Sequence, residues 1–253
     1  EEKRLSPAIT ILSAGAVRSA ILLLQSANGN NPAGLANSSD QVGRNFMNHN
    51  ATFMLAIDPR TVNDSVYQKT LHFNDFYFDD GHGSGPLGQV QLLGRVSTPI
   101  LKSNVRHVPE MLLRPLSRRS VDWYLVSEDL PRPESRVRLQ GSAVVLEWRF
   151  SNMKAHHTLV ARVRERMRAA GYPLILTRLV DGRLPSHQCG TVRIGNDPAA
   201  APLDPWCRSH DHANLFVVDA GCLPTSAAVN PSLTVAAQAL RVADYIRRTE
   251  IKS

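Results

Sequence analysis

The stretch Asn214-Leu215-Phe216-Val217-Val218-Asp219-Ala220-Gly221 packs four apolar residues in a row and then breaks off at an acidic residue and two small ones. A short, unbroken apolar run of this kind suits a strand covered on both faces. A loop leads from it to Asn230-Pro231-Ser232. Beyond that, Leu233, Ala236, Ala237, Leu240 and Ala243 recur at helical spacing to about Arg248. Asn230 is placed to cap that helix, and Pro231 to be its first residue. The segment therefore reads as strand, polar turn, helix.

The same texture stands at the other end of the chain. Ala8-Ile9-Thr10-Ile11-Leu12-Ser13 reads as a buried strand, and Ala14-Gly15-Ala16 as a tight turn. Val17, Ala20, Ile21 and Leu24 then follow at helical spacing until Asn28-Gly29-Asn30-Asn31-Pro32 ends the unit. Between these ends, from about Phe46 to Val180, β-rich runs alternate with loops of Pro, Gly and Asp. The runs are Ala51–Ile57, Gln89–Leu93, Val121–Val126, Val137–Leu139 and Val144–Trp148. This middle reads as a mostly antiparallel sheet with some helices, one of them spanning Thr158 to Ala170 and closed by Gly171. The expected fold is α/β at its ends and α+β overall, with residues 46–184 inserted between 1–45 and 185–253.

The 253 residues carry 29 basic and 22 acidic side chains, a net charge of +7. The arginines are scattered, and no nucleic-acid-binding motif accompanies them, so a nucleic-acid partner is not expected. The run Arg162 to Arg168 reads as the solvated face of a helix. No stretch of eighteen or more apolar residues is present, so no membrane span is expected; no signal peptide is visible either. The cysteines are Cys189, Cys207 and Cys222. An odd, low count argues against a disulfide framework and fits a reducing, cytoplasmic setting. No metal-ligand spacing surrounds them, and buried thiols are expected.

Gly83-Ser84-Gly85-Pro86-Leu87-Gly88 matches G-x-G-x-x-G letter for letter. A dinucleotide fingerprint needs a strand before it, a helix opening within it and an acidic residue about twenty positions on. Here Phe78-Asp79-Asp80-Gly81-His82 reads as a loop, Gln89–Leu93 as a strand, and Asn104 and Val105 stand where the acid belongs. The match is read as a glycine loop.

Three linked motifs carry a more specific message. Ser186-His187-Gln188-Cys189-Gly190-Thr191-Val192-Arg193-Ile194-Gly195-Asn196-Asp197-Pro198 precedes the strand at Leu215, and Asn230-Pro231-Ser232-Leu233-Thr234 follows it. In this order and spacing the three resemble the C-terminal signature of the glucose–methanol–choline (GMC) oxidoreductases. That signature is an H-x-x-G-T-x-x-x-G stretch, an N-L-x-V-x-D-(A/G) strand and an N-P-x-x-T turn. Ile11 to Ala16, with Leu22 to Ser26, resembles a flavin-domain strand and helix of the family. Val42-Gly43-Arg44-Asn45-Phe46-Met47-Asn48-His49 resembles its G-R-N-x-x-x-H segment. The middle of the chain matches only loosely.

The resemblance implies a partial FAD-binding, Rossmann-like domain (1–45 and 185–253) around an inserted substrate domain (46–184). It implies FAD as cofactor and a small alcohol or sugar as substrate, in the manner of choline dehydrogenase-like enzymes. His187 matches the active-site base; imidazole is the side chain suited to taking a hydroxyl proton near neutral pH. Asn230 matches a second active-site position, where an amide orients the alcohol oxygen. Ala14, Gly15, Asp219, Ala220, Asn230, Pro231 and Ser232 match cofactor-binding positions, and the helix after Pro231 would favour negative charge on reduced flavin. Gly221 stands where many relatives have Ser. His49 lies near the site by the same analogy. His156, His157, His210 and His212 are expected to be exposed, and Trp123, Tyr124 and Trp148 to belong to the core of the sheet.

A complete family member is about twice this long by resemblance, and its nucleotide-binding G-x-G-x-x-G turn would precede Glu1. The resemblance therefore allows a truncated, non-catalytic fragment, or one half of a split enzyme whose partner chain holds the nucleotide site. Some relatives cleave cyanohydrins instead of oxidising alcohols, and His187 suits either chemistry.

Overall fold

A computed structural model of the chain describes residues 5–180 and 186–251. In chain order its strands and helices are β1 (Thr10–Leu12), α1 (Ala16–Gln25), β2 (Asn50–Ile57), β3 (His72–Phe73), β4 (Gln89–Gly94), α2 (Thr98–Asn104), α3 (Glu110–Ser117) and β5 (Ser120–Ser127). Then come β6 (Arg136–Gln140), β7 (Ala143–Glu147), α4 (Met153–Ala169), β8 (Leu174–Leu179), β9 (Leu215–Val217), a 3-10 turn at Ala220–Cys222 and α5 (Ser232–Thr249). The chain divides into two compact units: residues 1–49, 129–150 and 185–253, and residues 50–128 and 151–184. The mixed α/β class expected from the sequence is the one observed.

In the first unit β1 and β9 pair in parallel, with Thr10 opposite Leu215 and Leu12 opposite Val217. Strand β9 is buried throughout, as its apolar run requires, whereas β1, expected to be buried, leaves Thr10 and Ile11 exposed. The core beneath them joins Ala20 and Leu23 of α1, Phe216 and Val217 of β9, and Val242 and Ile246 of α5, with Cys189, Cys207 and Cys222 buried as free thiols. The hairpin β6–β7 also belongs to this unit, which interrupts the insert expected at 46–184. Its attachment is visible at backbone level. Val137 N–H donates to Gly43 O at 2.8 Å and Phe46 N–H to Ser135 O at 2.8 Å. Any side chain at residue 43 would collide with the Val137 carbonyl. Asp129 accepts from Asn48 N–H at 3.0 Å and from Trp148 Nε1 at 2.8 Å. Trp148 meets Phe46 edge-on at 6.2 Å, so it packs in this unit and not in the large sheet. Residues 181–185, where the expected boundary falls, lie outside the described residues.

The second unit is a five-stranded antiparallel sheet in the order β3-β4-β5-β2-β8. Helix α4 covers one face, packing Leu159, Val163 and Met167 on Met54, Trp123 and Leu125. It begins at Met153, five residues before the expected Thr158. His156, expected at the surface, is instead fully buried in its first turns. Its Nε2 shares a hydrogen bond with Thr52 Oγ1 at 2.8 Å and its Nδ1 one with Ser127 Oγ at 2.9 Å. Burial, and then the neighbouring His157, push its pKa down to about 4. The glycine run 83–88 is loop, followed by β4, as read from sequence. No helix among the described residues is long and apolar enough to cross a membrane.

Candidate active site

Two extended segments of the first unit set the site. Met47 and Cys189 form an antiparallel bridge, each donating its N–H to the other's carbonyl at 3.0 Å. The approach is close enough to require glycine next door. Gly190 has φ +88°, and a Cβ there would lie 2.5 Å from Asn45 O and collide with the Met47 methyl. This explains the glycine of the H-x-x-G stretch. In an antiparallel pair, stepping two residues forward on one strand and two back on the other keeps residues opposite. That step carries Met47 to His49 and Cys189 to His187. The two rings meet accordingly: Nδ1 to Nδ1 is 2.9 Å, with centroids 4.8 Å apart. His187 itself holds φ +61°, an uncommon conformation for a side chain larger than glycine.

The hydrogen bonds fix which nitrogen carries which proton. His49 is buried, and its Nε2 lies 3.0 Å from Ser226 O. A carbonyl only accepts, so His49 Nε2 donates. Burial holds the His49 pKa down at about 4, against the opposing pull of the Ser226 carbonyl and with a further lowering from His187. The ring is therefore neutral near pH 7, and its Nδ1 is a lone pair. His187 Nδ1 must then donate to it, and Nε2 becomes the lone-pair nitrogen of a neutral His187. Ser226 is itself held on the hairpin connection: its hydroxyl donates to Asp129 O at 2.9 Å and accepts Asp129 N–H at 3.0 Å. The sequence singled out His187; His49 entered only by analogy, and the register of the bridge is what pairs the two.

Four of the expected cofactor positions, Ala14, Gly15, Asp219 and Ala220, follow the carboxyl ends of β1 and β9, while Asn230, Pro231 and Ser232 stand at the start of α5. Asp219 is buried, and its carboxylate is committed within the chain. Oδ2 accepts Gly15 N–H at 3.0 Å and the Ser19 hydroxyl at 2.5 Å, and Oδ1 accepts Gly221 N–H at 2.7 Å. The Ser19 hydroxyl also accepts Ala14 N–H at 3.0 Å. Asp219 thus ties the β1–α1 turn to the turn after β9. Gly221 leaves little room for a side chain: a Cβ would lie 2.8 Å from Asp219 Oδ1 and 3.1 Å from Thr191 Oγ1. Open space lies over Gly15, and Ala14 is exposed. Ala220 opens the 3-10 turn. Helix α5 starts at Ser232 with Pro231 as its N-cap residue, so Asn230 is one position too early to cap it. Asn230 is exposed. Pro231 itself provides no side-chain cap hydrogen bond, and no acidic residue stands in the first turn of α5. Among the described residues no His, Cys, Asp and Glu cluster is arranged to hold a metal.

A family model described as GMC oxidoreductase matches residues 131–239. This segment belongs to the GMC oxidoreductase family. The matched segment includes His187, Asp219, Ala220, Asn230, Pro231 and Ser232, while His49 and the Gly15 turn lie outside it. Among curated relatives, the fructose dehydrogenase large subunit of Gluconobacter japonicus is 29% identical over 93% of this chain and 46% of its own length. The 2-methyl-1,2-propanediol dehydrogenase of Mycolicibacterium austroafricanum is 30% identical over 95% of this chain and 48% of its own. Among solved structures, pyridoxine 4-oxidase from Mesorbium loti superposes with a TM-score of 0.61 at 19% identity, covering 96% of this chain and 52% of that one. The chain spans about half the length of the curated relatives it matches.

Proposed function

We propose that the chain is the C-terminal half of an FAD-dependent oxidoreductase acting on CH–OH groups, with His187 as its base. The observation that carries this reading is the His49–His187 pair. A base for an alcohol must offer a lone pair, and with His187 Nδ1 donating to His49 the nitrogen left to offer it is His187 Nε2. His187 Nε2 takes the hydroxyl proton as the carbon–oxygen double bond forms. Asn230, two residues before α5, orients the alcohol oxygen through its amide. When bound, FAD supplies the flavin N5 that accepts the hydride from the substrate carbon. The residues fit such a group: the first turn of α5, opened by Pro231 and Ser232, favours an anionic ring edge. Ala14, Gly15 and Ala220 offer backbone at the carboxyl ends of parallel strands, where ligands of open α/β sheets bind. Asp219 contributes by holding those turns, its carboxylate being already engaged.

The nucleotide-binding half would be carried by a further stretch of the protein or by a partner chain. The large-subunit character of the Gluconobacter relative supports this reading, as do the apolar faces left open in the first unit.

The test is His187→Ala in the assembled enzyme, with flavin bleaching followed anaerobically on adding alcohols or sugars. The wild type bleaches, and the variant slows by about 10²- to 10⁴-fold, the usual contribution of a positioned base. Unchanged bleaching in the variant removes His187 as the base. No bleaching in the wild type by any alcohol or sugar turns the reading toward the lyase relatives or a non-catalytic fragment.

A further inference from the structure

The second unit contains a cavity of about 570 Å³ on the sheet face roofed by α2 and α3. Thirteen of its seventeen lining residues are apolar, among them Phe53 and Leu55 of β2, Leu176 of β8, and Ile100 and Leu101 of α2. Such a volume lies within the range of about 300–1,000 Å³ typical of small-molecule sites. Four lining residues are polar: Asn104, Asp122, Thr177 and Arg178. Arg178 is already spoken for, its guanidinium donating to Asn104 O.

Asp122 is different. It is 1% exposed, at a register shift where β4 carries the extra residue Leu93 opposite β5. Oδ2 accepts Val96 N–H at 2.5 Å, the Ser120 hydroxyl is a second hydrogen-bonding neighbour of the carboxyl, and Oδ1 is buried with no partner in hydrogen-bond geometry among the described residues. A buried acceptor left unpaired costs about 1–3 kcal/mol, more when charged. Burial raises this carboxyl to about 6, against the favourable Val96 N–H and the nearby Ser120 hydroxyl. At neutral pH it is chiefly an anion in an apolar wall.

We infer that this cavity binds a largely apolar, uncharged molecule whose hydroxyl donates to Asp122 Oδ1. The apolar walls exclude a sugar, whose several hydroxyls would lose their water without finding partners. The carboxylate excludes a fatty acid, because two like charges would share a poorly solvated space. An aliphatic, terpenoid or aromatic alcohol satisfies both constraints. The inference stands on the cavity alone and is independent of the alcohol-oxidoreductase reading.

The experiment is a titration of the full chain, without flavin, by calorimetry, using decan-1-ol, decanoate and fructose. Decan-1-ol should bind at pH 8 at least roughly tenfold more tightly than the other two, the worth of one hydrogen bond to a charged group. Asp122→Asn offers an amide where the carboxylate stood, and should weaken decan-1-ol about tenfold. Ile100→Trp, at a half-exposed helix position that tolerates exchange, fills the cavity mouth and should reduce binding by at least as much. Thermal melting of both variants checks that each is folded. No decan-1-ol binding to the wild type overturns the inference, as does decanoate binding equally well or Ile100→Trp binding unchanged. Because no turnover is read, failure here leaves the His187 reading standing, and failure of His187→Ala leaves this one.

Discussion

At the residue scale the site is a problem in placing protons. A lone histidine in a sequence is ambiguous between surface, core and catalysis, and His187 became interpretable only within its H-x-x-G-T surroundings. What those letters do not show is the partner ring. His49 lies 138 residues away in sequence, and the pairing follows from the Met47–Cys189 bridge, which requires Gly190. The same invisibility applied to His156, which stands in a polar run yet turns inward because Thr52 and Ser127 offer it one hydrogen bond at each nitrogen. If His49 holds His187 in the Nδ1–H form, His49→Leu should lower kcat by roughly 10²-fold while leaving KM little changed. His49→Gln, whose amide can still accept from His187 Nδ1, should recover part of that loss. Steady-state kinetics of the assembled enzyme decide it, and equal kcat in His49→Leu and wild type would remove the relay.

At the element scale, legibility followed periodicity. The apolar runs of β1 and β9 and the helical stripes of α1 and α5 were readable from their periods, although only β9 of the parallel pair is buried throughout. The hairpin β6–β7 was recognised as strands but not as part of the first unit, since its attachment runs through backbone groups of Gly43, Phe46 and Asn48. Strand β8 and the short helices α2 and α3 were missed. All three carry apolar residues without a single clean period; α3 even includes Pro115. Asp219, read from the sequence as a cofactor-binding position, has its carboxylate committed within the chain. Its carboxylate serves three donors, Gly15 N–H, Ser19 Oγ and Gly221 N–H, so it joins two βα-type turns. Asp219→Ala leaves those donors buried or half-buried without their acceptor. The expected cost is about 2–4 kcal/mol, a melting point lower by roughly 5–10 °C. Asp219→Asn should fall between, because an amide can accept from Gly221 but presents a donor to Gly15. Calorimetric melting of the two variants measures this, and a melting point unchanged in Asp219→Ala would show that the turns hold without the brace.

At the scale of the whole molecule, the first unit presents apolar surface on elements that already have a core. Helix α5 carries two stripes. Val242 and Ile246 enter the core with Cys207 and Phe216, while Leu233 and Leu240 are 82% and 74% exposed. Ile11 in the parallel pair is also exposed. A helix apolar on two sides is ordinarily covered on both, and a parallel pair of strands is ordinarily covered on its faces. The nucleotide-binding half of a GMC enzyme is the occupant this reading requires. Leu240→Lys should then change the stability of the chain by itself by no more than about 0.5 kcal/mol, the range typical of surface changes. It should weaken assembly with the nucleotide-binding half by about 2 kcal/mol, roughly 30-fold, the value of one buried leucine. Flavin absorbance after gel filtration reads both arms: the chain alone should retain little FAD, the assembled wild type should retain it stoichiometrically, and assembled Leu240→Lys should lose it on dilution. A stoichiometric yellow complex of the chain alone would show that these faces serve no missing half, because the flavin site would then be complete without one.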